Sequence, residues 1–74
     1  MKTMTFSAVL NPEDAGYVSL CPEMDIASQG DTIEEALANL KEAVEGFFET
    51  ASAEEVQRRL KKPALFTRFE VECA

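Results

Sequence analysis

Histidine and tryptophan are absent from these 74 residues, and cysteine, glycine and proline occur only two, three and three times. Without histidine, the commonest proton carrier near neutral pH and the commonest metal ligand are both missing. The cysteines, Cys21 and Cys73, lie far apart and in no C-x-x-C arrangement. Zinc binding, thioredoxin-type redox chemistry and a disulfide framework therefore lack support. No apolar run approaches the roughly 18 residues of a membrane span. Met1-Lys2-Thr3-Met4-Thr5 lacks the apolar stretch of a signal peptide, so a soluble, cytoplasmic chain is expected. Bases are scarce: seven stand against fourteen acids, giving a net charge of −7 and a pI near 4.4. Such a chain repels phosphates, and direct DNA binding is not expected.

What remains is ordinary for a globular domain, with 46% hydrophobic and 28% charged residues. One domain over residues 1–74 is expected. A chain this short buries only about 60–65% of its unfolded surface, so oligomerisation would supplement a small core.

Thr3 to Leu10 alternates, with Met4, Phe6, Ala8 and Leu10 on one face, as in a half-buried strand. The turn formers of Asn11–Gly16 predict a longish hairpin loop before a second strand, Tyr17–Cys21. Pro22–Asp25 breaks that strand, and Ile26–Gln29 reads as a short third one closed by Gly30. Thr32-Ile33-Glu34-Glu35 is a capping box, the Thr32 hydroxyl accepting from the third helical N–H while Glu35 reaches back to the Thr32 N–H. Asp31 with Glu34 offers the same arrangement one residue earlier. Ile33, Ala36, Leu37, Leu40, Val44, Phe47 and Phe48 then form one apolar helical stripe. A second capping box at Ser52 predicts a short helix to about Lys62, stopped by Pro63. Glu54 and Glu55 stand four residues before Arg58 and Arg59, the favourable order for ion pairs. Leu65–Cys73 alternates again and predicts a final strand.

The expected fold is therefore α+β, a two-layer β-β-β-α-(α)-β domain with one sheet and one long helix, its last step a right-handed crossover. One sheet face packs under the helix. The opposite face is expected to carry Thr3, Thr5, Ser7, Tyr17, Ser19, Phe66, Arg68 and Glu70.

Tyr17–Glu23, Ala27–Ala36 and Asn39–Val44 together resemble the HicB-type antitoxin family, with Gly30-Asp31-Thr32-Ile33-Glu34-Glu35-Ala36 as the most specific string. The likeness spans Met4 to about Glu49. It implies a partial ribonuclease-H-like fold with strand order 3-2-1-4, and binding of a small basic RNA-cleaving toxin of the HicA type. Fuller members of that family carry a C-terminal DNA-binding segment; with the sequence ending at Ala74, a short, stand-alone member without that segment is expected. Under that strand order Cys21 and Cys73 would lie at opposite sheet edges, roughly 20 Å apart and beyond disulfide reach.

A metal-dependent nuclease needs carboxylates converging on strand ends. Asp25, Asp31 and Glu70 are available, but Thr3–Leu10 contains no acid, and the first two fit turn and cap roles. No catalytic, cofactor or metal residue is expected, and the chain is not expected to be an enzyme. Five glutamates against Lys41 give the long helix a net charge of −4. Glu45 and Glu49 are like charges at i,i+4, where the helix dipole favours cations. Arg58, Arg59, Lys61 and Lys62 suit the C-terminal end of the second helix better than a nucleic-acid patch. Gly46, inside the long helix, suggests close approach of another backbone. The expected partner-binding residues are Glu42, Glu45 and Glu49 with Phe66, Arg68 and Glu70 of the final strand. A second reading is a self-associating homodimer with no toxin, formed through the final strand, where Phe66 and Phe69 lie near unpaired backbone groups.

Overall fold

The computed structural model describes residues 2–74; Met1, part of the N-terminal stretch read above, lies outside them. Three strands, β1 (Val9–Glu13), β2 (Gly16–Cys21) and β3 (Ile26–Gly30), precede two helices, α1 (Ile33–Thr50) and α2 (Ala53–Lys61). The chain is thus a small α+β fold: three antiparallel strands in the order β1-β2-β3, followed by helices.

The first strand lies later than the alternation suggests. Its ladder runs through Asn11, Pro12 and Glu13, which the turn-former run marked as loop, and only Asp14 and Ala15 make the turn. Proline is tolerated because β1 is an edge strand. Glu13 and Gly16 close the two-residue turn as a pair, so alternate residues of β1 aim their backbone groups at β2 and Pro12 faces the free edge. Residues 3–8 precede the ladder because β2 ends at Cys21, opposite the position before Val9.

The two faces of β2 are the reverse of the expectation. Leu10 pairs with Ser19, and Ser19 with Ser28. Ser19 is fully buried under α1, its hydroxyl donating to the Ala36 carbonyl at 2.9 Å. Tyr17, Ser19 and Cys21 therefore lie on the helix side, and Val18 and Leu20 on the other. Small residues make this possible. A Cβ on Gly30 would sit 2.5 Å from the Ala36 nitrogen, and one on Gly16 would sit 2.5 Å from the Gly30 carbonyl oxygen. The helix touches the sheet backbone to backbone, and a serine suits the space better than a large apolar side chain.

The hydroxyl cap of each capping box forms. Thr32 accepts from the Glu35 N–H and Ser52 from the Glu55 N–H, each at 3.1 Å. Glu35 reaches back to the Asp31 N–H at 3.1 Å, one residue earlier than the Thr32 N–H expected of it. Among the described residues no other element approaches Gly46: beyond its own helix backbone nothing lies within 4 Å of where its Cβ would be, contrary to the close approach its position suggested. The core consists of Cys21, Met24, Ala36 and Leu40, with Phe6, Ile26, Val44, Phe47, Phe48 and Leu60 packed partly buried around its larger members.

The largest departure is at the C-terminus. Residues 63–74 form neither helix nor strand, and the final strand expected at Leu65–Cys73 does not join the sheet. Among the described residues, no hydrogen bond ties this segment to the rest of the chain; Thr67 donates only to the neighbouring Arg68 carbonyl. Leu65 is 86% exposed and Phe69 85%. The Cα radius of gyration is 14.6 Å, against about 11 Å for a compact domain of this length. No helix among the described residues is long and apolar enough to cross a membrane.

Candidate partner-binding surface

An open groove of about 1240 Å³ runs between α1 and the N-terminal segment. Met4 and Phe6 form one wall, Leu37, Val44 and Phe48 the other, with Cys21 and Leu40 beneath. The helical wall exists because the apolar stripe of α1 is wider than the three-stranded sheet. Ala36 and Leu40 are buried against the strands, while Leu37, one residue round the helix, stays 46% exposed. Glu34, Glu45 and Glu49 rim the helical side, with Lys41 among them.

Two contacts hold the opposite wall. Phe6 stacks on Phe48 with ring centroids 5.9 Å apart. Glu23, in the turn between β2 and β3, accepts the Ser7 N–H on both carboxylate oxygens at 3.0 Å. Hydrogen bonding from Ser7 favours the charged form and holds the Glu23 carboxyl below its ordinary value near 4.5. The Cys21 thiol donates to Glu23 Oε1 at 3.6 Å. Burial pushes that thiol above its ordinary value of 9.0, and the neighbouring carboxylate adds to the effect. Cys21 therefore stays protonated and unreactive at neutral pH. Both cysteines are free thiols, Cys21 buried and Cys73 exposed.

The six residues expected to meet a partner are not gathered in one place. Glu45 and Glu49 stand on the groove rim; Glu42 is exposed on α1 but does not line the groove. Phe66, Arg68 and Glu70 lie on the separate, exposed C-terminal segment. The last turn of α1 contains no base, so the charge conflict there is uncompensated within the helix. Of the carboxylates considered for a metal, Asp25 adopts a left-handed turn conformation with φ 54°, and Asp31 supplies its N–H to the cap of α1. Among the described residues no three His, Cys, Asp or Glu side chains stand close enough to hold a metal ion.

Sequence reasoning missed two residues that shape this end of the molecule. Met24 sits in the β2–β3 turn yet is fully buried. Arg59, read as a complement to the helix dipole, instead reaches across from α2. Its guanidinium donates to the Met24 carbonyl and, at 3.5 Å, to that of Asp25, with its central carbon 4.5 Å above the centre of the Phe47 ring. Glu55 steadies it, 3.8 Å from Arg59 Nε, and pairs with Arg58. The only signal in the sequence is the Glu55–Arg59 spacing, which announces a helix-surface ion pair and not a tertiary contact.

Comparison with known proteins supplies relatives of similar size. A UPF0150 protein of Synechocystis is 39% identical over 66 residues, covering 88% of this chain and 90% of the relative. A UPF0150 protein of Helicobacter pylori is 33% identical over 69 residues, covering 92% and 96%. A second Synechocystis UPF0150 protein is 43% identical over 51 residues, covering 66% and 65%. No family model matches the chain. No solved structure matches it either.

Proposed function

The chain belongs to the UPF0150 family, and we propose that it is a non-catalytic, HicB-like antitoxin that binds and neutralises a small basic RNA-cleaving toxin of the HicA type in the cytoplasm. The observation that carries this reading is the uncompensated acidic side of α1. Glu42, Glu45 and Glu49 are all exposed, none has a basic partner among the described residues, and no cation sits in the helix's last turn. Like charges at a helix C-terminus cost the free protein stability, and a basic surface laid against them removes that cost. The β-β-β-α order with α1 on one sheet face is compatible with the first four elements of a partial ribonuclease-H-like fold. Neutralisation would be steric and electrostatic, the chain covering the toxin's RNA-binding surface without chemistry of its own.

The test is co-expression with the products of neighbouring reading frames, any small basic protein among them first. The expected result is a complex that survives purification at low salt and weakens as ionic strength rises. Glu45→Gln with Glu49→Gln should lower affinity roughly tenfold and flatten the salt dependence. Failure of any basic neighbour to bind, or a complex indifferent to both substitutions, overturns the reading.

A further inference from the structure

The described chain leaves more large hydrophobic side chains outside than in. Eight of them are exposed, whereas the buried core holds four apolar residues, one of them an alanine. Exposed apolar surface in such excess marks a docking site. Six of the eight lie in two places. Leu65, Phe66, Phe69 and Val71 occupy the projecting C-terminal segment, while Met4 and Leu37 look into the groove.

We propose that the groove between α1 and the N-terminal segment receives residues 65–73 of a second copy of this chain, and that the exchange is reciprocal. Shape, backbone chemistry and length all support that occupant. Leu65, Thr67, Phe69, Val71 and Cys73 share one side of an alternating segment, whose other side carries Phe66, Arg68, Glu70 and Glu72. As a strand it would turn its mainly apolar face to Leu37, Val44 and Phe48 and leave Arg68, Glu70 and Glu72, with Phe66, on the other. The wall it lies beside needs a partner. Ser7 aims its N–H at the β2–β3 turn, so alternation aims the backbone groups of Phe6 and Ala8 at the free edge, in line with Leu10 and Pro12 of β1. Strand addition would satisfy those groups and those of the incoming segment together. From Leu65 to Val71 a strand spans about 20 Å, and from Leu37 to Phe48 a helix spans about 17 Å. One chain carries both halves of the contact, so a two-fold dimer closes on itself and leaves neither half unfilled.

This interface does not depend on the toxin reading, and its test uses the purified chain alone. The full chain should sediment as a dimer, with the amides of residues 65–73 protected from hydrogen exchange. Phe69→Asp with Val71→Asp removes the inserted face, and Leu37→Asp spoils the groove. Neither change touches a buried side chain, so each variant should keep its helical circular dichroism while dimer affinity falls roughly 100-fold. Mixing the two variants restores one intact contact, the sound segment in the sound groove, and a mixed dimer should form. A third variant, Phe69→Ser with Val71→Ser, keeps the test open should the aspartates disturb folding. A monomeric full chain overturns the proposal, whether its segment is protected by folding back into its own groove or is not protected at all. A dimer indifferent to Phe69→Asp with Val71→Asp, or a mixture that stays monomeric, overturns it as well.

Discussion

The two ends of the interface between α1 and the sheet are built on opposite principles. At the N-terminal end of the helix, Ser19, Gly30 and Ala36 keep side chains out of the way, and the backbones meet. At the other end Phe6, Phe47, Phe48 and Met24 hold the layers apart, and polar side chains from neighbouring elements tie them together. The first arrangement seals the layers; the second leaves a groove. A small core can be completed by removing side chains where space is short and by stapling where it is not. The stapled end keeps Phe6 and Phe48 only partly buried along the groove.

The sharpest way to break the contrast is at the sealed end. In Gly30→Ala the new Cβ would meet the Ala36 nitrogen at 2.5 Å, the Glu35 carbonyl carbon at 2.8 Å and the Ala36 Cα at 2.9 Å. All three are backbone atoms of the first helical turns, so nothing yields without moving α1. The expected loss is roughly 2–3 kcal/mol, which for a domain of this size lowers Tm by about 10 °C or more. Thermal melting checks it. A variant that melts within about 2 °C of the parent would show that the helix does not rest on the sheet backbone at Gly30.

At the stapled end the expected effect is smaller because no atom must be displaced. Arg59→Ala removes the donors to the Met24 and Asp25 carbonyls and the cation above Phe47. Water can enter the space that the partly exposed Arg59 side chain vacates, so the cost should be about 1–2 kcal/mol, read as a shift in the urea midpoint. Arg59→Lys keeps the charge without the planar fork and should recover less than half of the loss. Equal stability for Arg59→Ala and the parent would place α2 outside the cooperative unit.

Much of this architecture was legible in the residues. Both helices and both hydroxyl caps were, because a capping box and a 3.6-residue stripe are local signals. The order of strands and helices up to Lys61 was readable for the same reason. What escaped depends on partners distant in sequence. Pro12 looks like a loop residue until β1 is known to be an edge. Ser19 looks solvent-facing until Leu10 is paired with it across the hairpin. The alternation of Leu65–Cys73 states that the segment suits a strand, but alternation names no neighbour, and in the single chain it has none. Of the binding surface, the glutamates of α1 could be found from charge spacing. The groove could not, since it arises from the overhang of residues 3–8 beyond the end of β2.

The finest probe of the stapled end is pH, because it holds a carboxyl group, Glu23, whose affinity for protons falls on folding. The Glu23 carboxylate accepts the Ser7 N–H, and that bond holds its folded value below the ordinary one near 4.5. The unfolded state therefore binds the proton more readily. The stabilisation is fully present above the unfolded value and is lost as pH falls through the lowered folded value. Glu23→Gln keeps an acceptor but abolishes the titration. It should be slightly less stable than the parent at pH 7, and the gap should close on acidification below about pH 4.5. Gly30→Ala, whose cost is steric, should show a gap that does not close with Glu23 titration. Parallel urea titrations of the three proteins from pH 7 to pH 3 check this. A gap for Glu23→Gln that persists at pH 3 would mean that the carboxylate charge does not hold the N-terminal wall of the groove in place.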